Sequence, residues 1–348
     1  MSGGVDSAVA ALLIKESGSE CAGATMTLFP PGGPKRESAA CLTSQGAEDA
    51  RAVAAGLGIP FLIFDMSEEF RRDVVERFIT SYRSGATPNP CVECNRFLKF
   101  GKFLDRAAEA GYCEIATGHY AKIERDPLSG RMLLKKGADE KKDQSYFLYS
   151  LTQQQLSRTK FPLGSLTKDE VREIAEAHRL TVAQKHESQD ICFVPDGDYA
   201  AFIERYTGER DKEGDFVDAE GKIIGRHRGI TKYTIGQRKG LGLSLPEPLY
   251  VRAKDPAQNK ITLCRNEELF KKTLTVKEVN LIACTGLDAP LRVKVKVRYK
   301  HQEQPATIEQ IDETRIRLEF DAPQRAITPG QAAVFYDGDA VIGGGTIE

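Results

Sequence analysis

The sequence has no run near the roughly 18 consecutive apolar residues that a membrane-spanning helix needs, which excludes such a helix and leaves no membrane partner expected. No charged-then-apolar leader stands ahead of the first motif, so nothing signals export. Cysteine is sparse: eight in 348 residues cannot build the disulfide framework of a small secreted scaffold. A reducing cytoplasmic setting is therefore expected, where clustered cysteines serve redox, metal or catalytic chemistry. Net charge is only −1, so bulk charge points to no polyanionic partner. Internal repeats and low-complexity tracts are also absent.

What is present is a chain too long for one compact core, with the 41% apolar content of a globular protein. Two or three domains are expected. Over the first 200 residues, strand and helix signals alternate. Residues 8–14 open an apolar helix, 22–28 read as a buried strand, and 48–56 as a helix ending at a glycine. A strand follows at 61–64, helices at about 68–82 and 97–110, and a strand at 114–117. This spacing argues a parallel α/β sheet. Thr167-Lys168-Asp169-Glu170 is a capping box that starts a further helix.

From about Thr207 the texture changes. Eight glycines between 208 and 242 break any long helix, and 222–254 holds eight Lys/Arg against one acid, on a chain otherwise net −8. A basic block on an acidic protein is a local polyanion footprint; a solvated charged loop is the plainer alternative. After Thr273 short alternating strands dominate. The clearest is 291–301, with Val293, Val295, Val297 and Tyr299 on one face and Arg292, Lys294, Lys296, Arg298 and Lys300 on the other. The last 75 residues, closing on a hairpin around Asp337-Gly338, read as a small β-barrel or sandwich. The expected domains are 1–204, a small central one at 205–272, and 273–348.

Three motifs carry chemistry. Ser2-Gly3-Gly4-Val5-Asp6-Ser7 runs straight into the apolar helix. Its adjacent glycines let backbone N–H groups approach an anion, and the helix N-terminus adds partial positive charge. It has no lysine, unlike the Walker loop. A Gly-Gly turn with a serine cap is the simpler alternative. A strand is expected before such a loop, yet only Met1 precedes it: either that strand is supplied differently or the start lies too far downstream. In Thr87-Pro88-Asn89-Pro90-Cys91-Val92-Glu93-Cys94-Asn95, two prolines stiffen a loop presenting Cys91 and Cys94 just before the expected helix, whose N-terminus favours thiolate. A buried pair is the alternative. In Ser188-Gln189-Asp190-Ile191-Cys192-Phe193-Val194-Pro195 the segment looks strand-like, and Cys192 read alone is a small apolar residue. Cys21, Cys41, Cys113, Cys264 and Cys284 read as structural.

The hexapeptide 2–7 resembles the PP-loop of N-type ATP pyrophosphatases, which cleave the α–β bond of ATP and leave AMP on the substrate. In order along the chain, SGGVDS (2–7), TPNPCVECN (87–95), ATGHYAKI (116–123), KDQSYFLY (142–149), SQDICFVPDGDYAAFI (188–203), HRGITKYTIGQRKGLGL (227–243), KVRY (296–299) and TPGQAAVFYDGD (328–339) together resemble the tRNA-specific 2-thiouridylases. That resemblance implies an N-terminal PP-loop ATP pyrophosphatase domain of the adenine nucleotide alpha hydrolase type, a small central tRNA-binding domain and a C-terminal β-barrel. It implies thiolation of the wobble uridine in tRNAs for Lys, Glu and Gln, using ATP, Mg²⁺ and a persulfide donor such as a cysteine desulfurase or sulfur-relay protein.

By the same resemblance, Ser2, Gly3, Gly4, Val5, Asp6, Ser7, Met26 and Gly118 hold the nucleotide. Cys94 matches the nucleophile and Cys192 the persulfide carrier, with a transient disulfide between them. Asn89, Pro90 and Cys91 face the target base. His119, Lys142, Asp143, Gln144, Arg298, Tyr299 and Gln331 match positions touching tRNA. Many members have Asp where this chain has Cys91. That leaves Cys91 either a thiol acid/base or, with Cys94 and Cys192, a ligand of a [4Fe–4S] cluster activating sulfide. Two other classes fit parts of the pattern: an amidating PP-loop ligase, and an RNA-binding protein with a degenerate loop. If the basic segments contact phosphates, tRNA affinity falls steeply as salt rises; a flat salt titration would remove them from the interface.

Overall fold

The computed structural model describes residues 1–29, 44–183, 185, 191–194, 196–244 and 246–348. Cys41, Ser188, Gln189, Asp190 and Pro195 lie outside them. The chain divides into two compact units: one of 1–75, 90–197 and 337–343, the other of 76–89, 198–336 and 344–348.

Unit 1 is α/β. Helix α1 (Val5–Glu16) buries Val5, Ala8, Val9, Ala10 and Leu12, so it is apolar on more than one side. Val5, Val9 and Ala10 pack with Tyr120, Leu163, Val171 and Ala175, while Ala8 and Leu12 pack with Val53, Leu57 and Val182. This double burial is why the sequence shows a continuous apolar run rather than a stripe. Strand β1 (Gly23–Thr27) pairs in parallel with β2 (Phe61–Asp65), Met26 opposite Phe64. Helix α2 (Ser44–Leu57) precedes β2 in the chain. A second parallel pair joins β3 (Ile115–Ala116) to β6 (Thr159–Lys160). A cleft of about 470 Å³ runs past both pairs, lined among others by Ala22, Ala24, Leu62, Ile115 and Ala116. The amino group of Met1 donates to the Ala24 carbonyl.

Two features of unit 1 were not expected. A hairpin, β4 (Ala121–Arg125) with β5 (Met132–Lys136), leaves the parallel pattern, and Ala340 pairs with its Lys135. The helix expected from Phe97 begins instead at Pro90 and continues through a π-helical stretch, Cys94–Lys102, to Glu109. Proline at a first helical position loses nothing, because its missing N–H would have no intrahelical partner there. The capping box at Thr167 is present: its hydroxyl accepts from Glu170 N at 3.3 Å, and Glu170 accepts from Thr167 N at 2.6 Å.

Two further β structures follow, a sheet within unit 2 and a barrel that belongs to unit 2 except for residues 337–343. Strands β7 (Gly214–Val217), β8 (Ile223–His227), β9 (Tyr250–Asp255) and β10 (Lys260–Cys264) form a sheet in the order β8-β7-β10-β9 around Phe216, Tyr233, Val251, Ile261 and Leu263. Short strands and left-handed glycines hid this sheet in the sequence. Strands β11 (Phe270–Leu281), β12 (Leu291–Lys296), β13 (Gln304–Gln310), β14 (Ile316–Arg325), β15 (Ala332–Asp337) and β16 (Ala340–Ile347) run in the order β11-β14-β13-β12-β15-β16 and close through β11–β16 into the expected barrel. Closure is tight at Gly345, where a Cβ would meet Lys277 O at 2.8 Å. β12 stops at Lys296, short of the expected span, yet Val293, Val295 and Val297 are all buried as the alternation required. Among the described residues no helix is long and apolar enough to cross a membrane.

His119 is buried in unit 1 between the rings of Phe100 and Phe161, at 5.5 and 5.7 Å, and its Nδ1 shares a 2.7 Å hydrogen bond with Thr117 Oγ1. Desolvation, with a smaller contribution from Lys99, holds its pKa well below 6.5. A histidine buried neutral binds a proton more readily when unfolded, so its stabilisation is complete above about pH 6.5 and is lost as pH falls below that. Relative to His119→Gln, the wild-type protein should therefore lose stability at up to about 1.4 kcal/mol per pH unit below 6.5. Urea unfolding of both proteins between pH 5 and 7.5 measures the difference; parallel curves would refute it.

Candidate functional site

The loop at residues 2–7 forms at the start of α1, with Gly4 as its N-cap residue. Gly3 has φ +74°, and a Cβ there would sit 2.3 Å from Gly46 O, so both its backbone and its surroundings demand glycine. The two serines brace the turn: Ser2 N donates to Ser7 Oγ at 3.1 Å, and Ser7 Oγ donates to Gly4 O at 2.9 Å. The loop is thus ordered by its own hydroxyls, with the helix amides behind it available to an anion.

Asp6 is the electrostatic centre. Its Oδ1 accepts from Tyr120 Oη at 2.7 Å and from Lys168 Nζ at 2.6 Å. Lys168 is only 5% exposed, so it meets its counter-charge inside the protein. Gly118 lies flat against Asp6: a Cβ on it would be 2.7 Å from the Asp6 carbonyl carbon. Lys185 reaches the other side of the loop, donating to Gly3 O at 3.1 Å and to Asp49 Oδ2 at 2.5 Å. The Asp49 carboxyl sits below its ordinary value, chiefly through the hydrogen bond from Lys185. The loop that lacks lysine in sequence therefore gains two lysines in space.

Lys168, Lys185 and Tyr120 escaped the sequence reading. Lys168 stands inside a capping box, which accounts for its local pattern, and Lys185 carries no local signal. Of the expected nucleotide residues, 2–7 and Gly118 come together around Asp6, and Met26 lies near the carboxyl end of β1.

The expected tRNA positions fall in several places. Gln144 buttresses Tyr120, accepting from its N–H at 3.0 Å and donating its own N–H to Tyr120 O at 2.9 Å. Asp143 is buried, its oxygens accepting from Gly137 N, Ser145 N and Ser145 Oγ at 2.9–3.1 Å. Lys142 is half-buried on the turn before it. Of the three, Gln144 is the one tied to the loop, through Tyr120 and its hydrogen bond to Asp6. Arg298 is exposed and Tyr299 half-buried just beyond β12, in unit 2 with Asn89 and Gln331.

Cys91 is exposed and Cys94 half-buried, and both lie in the first turns of the 90–109 helical run, on its electropositive end. The next residue, Asn95, is buried and donates to Phe147 O at 3.1 Å, anchoring the turn. Cys192 is half-buried and lies in a turn, not the strand-like run expected; Val194 N returns to Ile191 O at 2.8 Å, and Phe193 packs edge-on to Phe70 at 5.6 Å. Among the described residues no group of three or more His, Cys, Asp or Glu could hold a metal ion. A Mg²⁺ ion needs no such cage, because it is usually carried by substrate phosphates with one or two carboxylates, and Asp6 is the acid at hand.

Half of the basic block in 222–254 is already committed. Arg226 pairs with Asp215, Lys232 with Glu204 and Arg252 with Glu268, while half-buried Lys254 donates to Tyr233 O at 3.0 Å and its pKa is pushed down to about 8 by desolvation. Lys222, Arg228, Arg238 and Lys239 remain exposed without an ion pair among the described residues.

Comparison with known proteins agrees with this layout. Residues 1–196 match the tRNA methyl transferase HUP domain family, 200–265 the tRNA methyl transferase PRC-barrel domain, and 271–347 the aminomethyltransferase beta-barrel domain. The tRNA-specific 2-thiouridylase MnmA of Clostridioides difficile (strain 630) is 49% identical over 348 residues, spanning 100% of this chain and 96% of the relative. Those of Lachnoclostridium phytofermentans and Moorella thermoacetica are 47% and 48% identical, each spanning 100% of this chain and 98% of the relative. A nucleotide-binding HUP domain, a small PRC-barrel domain and a closed β-barrel, matched end to end by these relatives, place the chain in the tRNA-specific 2-thiouridylase family.

Proposed function

We propose that this enzyme thiolates C2 of the wobble uridine in tRNAs for Lys, Glu and Gln, activating the 2-oxygen with ATP and taking sulfur from a persulfide on Cys192. The observation that carries this is the PP-loop capped on α1 and flanked by Lys168 and Lys185. Backbone amides, a helix N-terminus and two cations are what a departing pyrophosphate needs, since charge builds there as the α–β bond breaks. Mg²⁺, when bound with ATP, adds Lewis-acid neutralisation of the same charge. Asp6, held by Tyr120 and Lys168, presents the carboxylate that would orient it.

The uridine 2-oxygen attacks the α-phosphorus, forming the C2–O–AMP adduct and releasing pyrophosphate. The terminal sulfur of the Cys192 persulfide then adds at C2, and the C2–O bond breaks to release AMP. Cys94 thiolate attacks the inner sulfur of Cys192; the S–S electron pair stays on the sulfur now bound to C2, giving the thiocarbonyl and a Cys94–Cys192 disulfide. A cellular thiol reductant resets the pair. The opening turns of the 90–109 helical run present Cys94, and a persulfide donor protein reloads Cys192. The wobble base lies in a single-stranded loop, so it can be taken out of the stack at modest cost.

Thiolation of anticodon stem-loops separates the two stages. Cys94→Ser and Cys192→Ser should each lose thiolation by roughly 10³-fold or more, as when a covalent-catalysis residue is removed. Cys192→Ser should still release pyrophosphate in the presence of tRNA, because adenylation precedes sulfur transfer, and Cys91→Asp should remain active. Full thiolation by Cys192→Ser with the same donor would end this reading.

A further inference from the structure

Within unit 1, the turn 137–144 holds both of the side chains that hold Asp6. One arm runs through Asp139. Lys168 is the first residue of the helix Lys168–Ala177, so its N–H has no intrahelical partner, and Asp139 Oδ2 accepts from it at 3.0 Å. A carboxylate at that end of a helix is also favoured by the helix dipole. The other carboxylate oxygen, Oδ1, accepts from Lys141 N at 3.0 Å, and Asp139 O accepts from Lys142 N at 3.0 Å. These bonds tie Asp139 into its own turn before it reaches Lys168.

The second arm runs through Gln144, which grips Tyr120 by both backbone groups: its side-chain oxygen accepts from Tyr120 N at 3.0 Å, and its N–H donates to Tyr120 O at 2.9 Å. Gly137 lies flat on the same residue, where a Cβ would sit 2.8 Å from Tyr120 O. The two arms meet at one atom, because Tyr120 Oη and Lys168 Nζ both donate to Asp6 Oδ1. Lys168 Nζ also lies 5.9 Å from the Tyr120 ring centroid. Tyr120 and Lys168 are both buried, so in a close-packed interior neither side chain shifts far without its backbone. Among the described residues no hydrogen bond reaches Asp6 Oδ2, and the Asp6 side chain is 32% exposed.

We propose that Asp139 and Gln144 are positioning residues for Asp6: by fixing Lys168 and Tyr120 they lock Oδ1 and leave Oδ2 available to the cation that accompanies ATP. Each acts through the residue it holds. The side-chain oxygen of Gln144, a residue expected to touch tRNA, is committed to Tyr120, so its effect on the reaction runs through the nucleotide site. The inference rests on the ATP reading above.

The probe is α,β-methylene-ATP, which cannot be cleaved at the α–β bond, titrated calorimetrically into the full chain with Mg²⁺ or with EDTA. The ratio of the two affinities should fall about fivefold in Asp139→Ala and in Gln144→Leu, the size of one lost hydrogen bond, with binding in EDTA unchanged within about twofold. Asp139→Asn keeps an oxygen for Lys168 N and should hold the ratio within about twofold of wild type. Tyr120→Phe removes only the hydroxyl and should lower the ratio too, which decides the matter if thermal unfolding shows a turn variant unfolded. Stem-loop affinity in Gln144→Leu should stay within about twofold of wild type. An unchanged ratio in folded Asp139→Ala, Gln144→Leu or Tyr120→Phe would overturn the proposal, as would an equal loss in Asp139→Asn. Weakened stem-loop binding with the ratio intact would show direct contact of Gln144 with tRNA and overturn it as well. Wild type that binds the analogue equally with and without Mg²⁺ overturns the positioning role alone; wild type that fails to bind it defeats the proposed use of ATP along with it.

Discussion

A lysine ammonium that is 5% exposed must have its charge answered inside the protein, and in this molecule the answer is Asp6. The Lys168–Asp6 pair, with Tyr120 on the same carboxylate oxygen, ties three remote segments to one point: the loop at the start of α1, the 118–120 turn, and the helix Lys168–Ala177. Removing Asp6 would leave the Lys168 ammonium, 6% exposed on its side chain, without this partner, whereas Asp6, at 32%, keeps some access to water. The other groups fall into place around that constraint. Gly118 must be glycine because Asp6 occupies the space of its Cβ, and Gln144 must face Tyr120 because Tyr120 has to present its hydroxyl.

That node also explains how a loop without a lysine can serve a polyanion. A Walker loop carries its cation in the motif; here the cations arrive from the helix Lys168–Ala177 and from Lys185. Cation and loop are then set by the packing of α1 against that helix, through Val5, Val9 and Ala10 on one side and Val171 and Ala175 on the other. Core packing and site electrostatics are therefore one construction, and a cavity in this cluster would also disturb the loop.

A similar economy marks the cysteine segment. Pro90 starts the helical run earlier than the apolar pattern suggests, which places both Cys91 and Cys94 in its opening turns. The residues before it belong to the same compact unit as the barrel, whose turn at 328–331 holds Thr87 by both its polar groups.

Much was legible from residue order alone. The Gly-Gly turn with its two serines, the all-round apolar α1, the strands at 23–27 and 61–65, the capping box at Thr167 and the alternating valines of β12 follow from local sterics and from periodicities of 3.6 and 2. For the last six strands residue order left a barrel or a sandwich open, and the β11–β16 pairing decided for the barrel. The β7–β10 sheet was not, because short strands punctuated by left-handed glycines leave no period to read. The lysines at the loop and the clamp on Thr87 were beyond any local signal: Lys168 meets Asp6 across 162 residues, Lys185 meets Gly3 across 182, and Gln331 meets Thr87 across 244. The sequence by itself determined which loop could cradle an anion and which thiols stand at a helix start. Only the tertiary structure decided which charges face that loop, because a charge acts through distance in space, which separation along the chain does not encode.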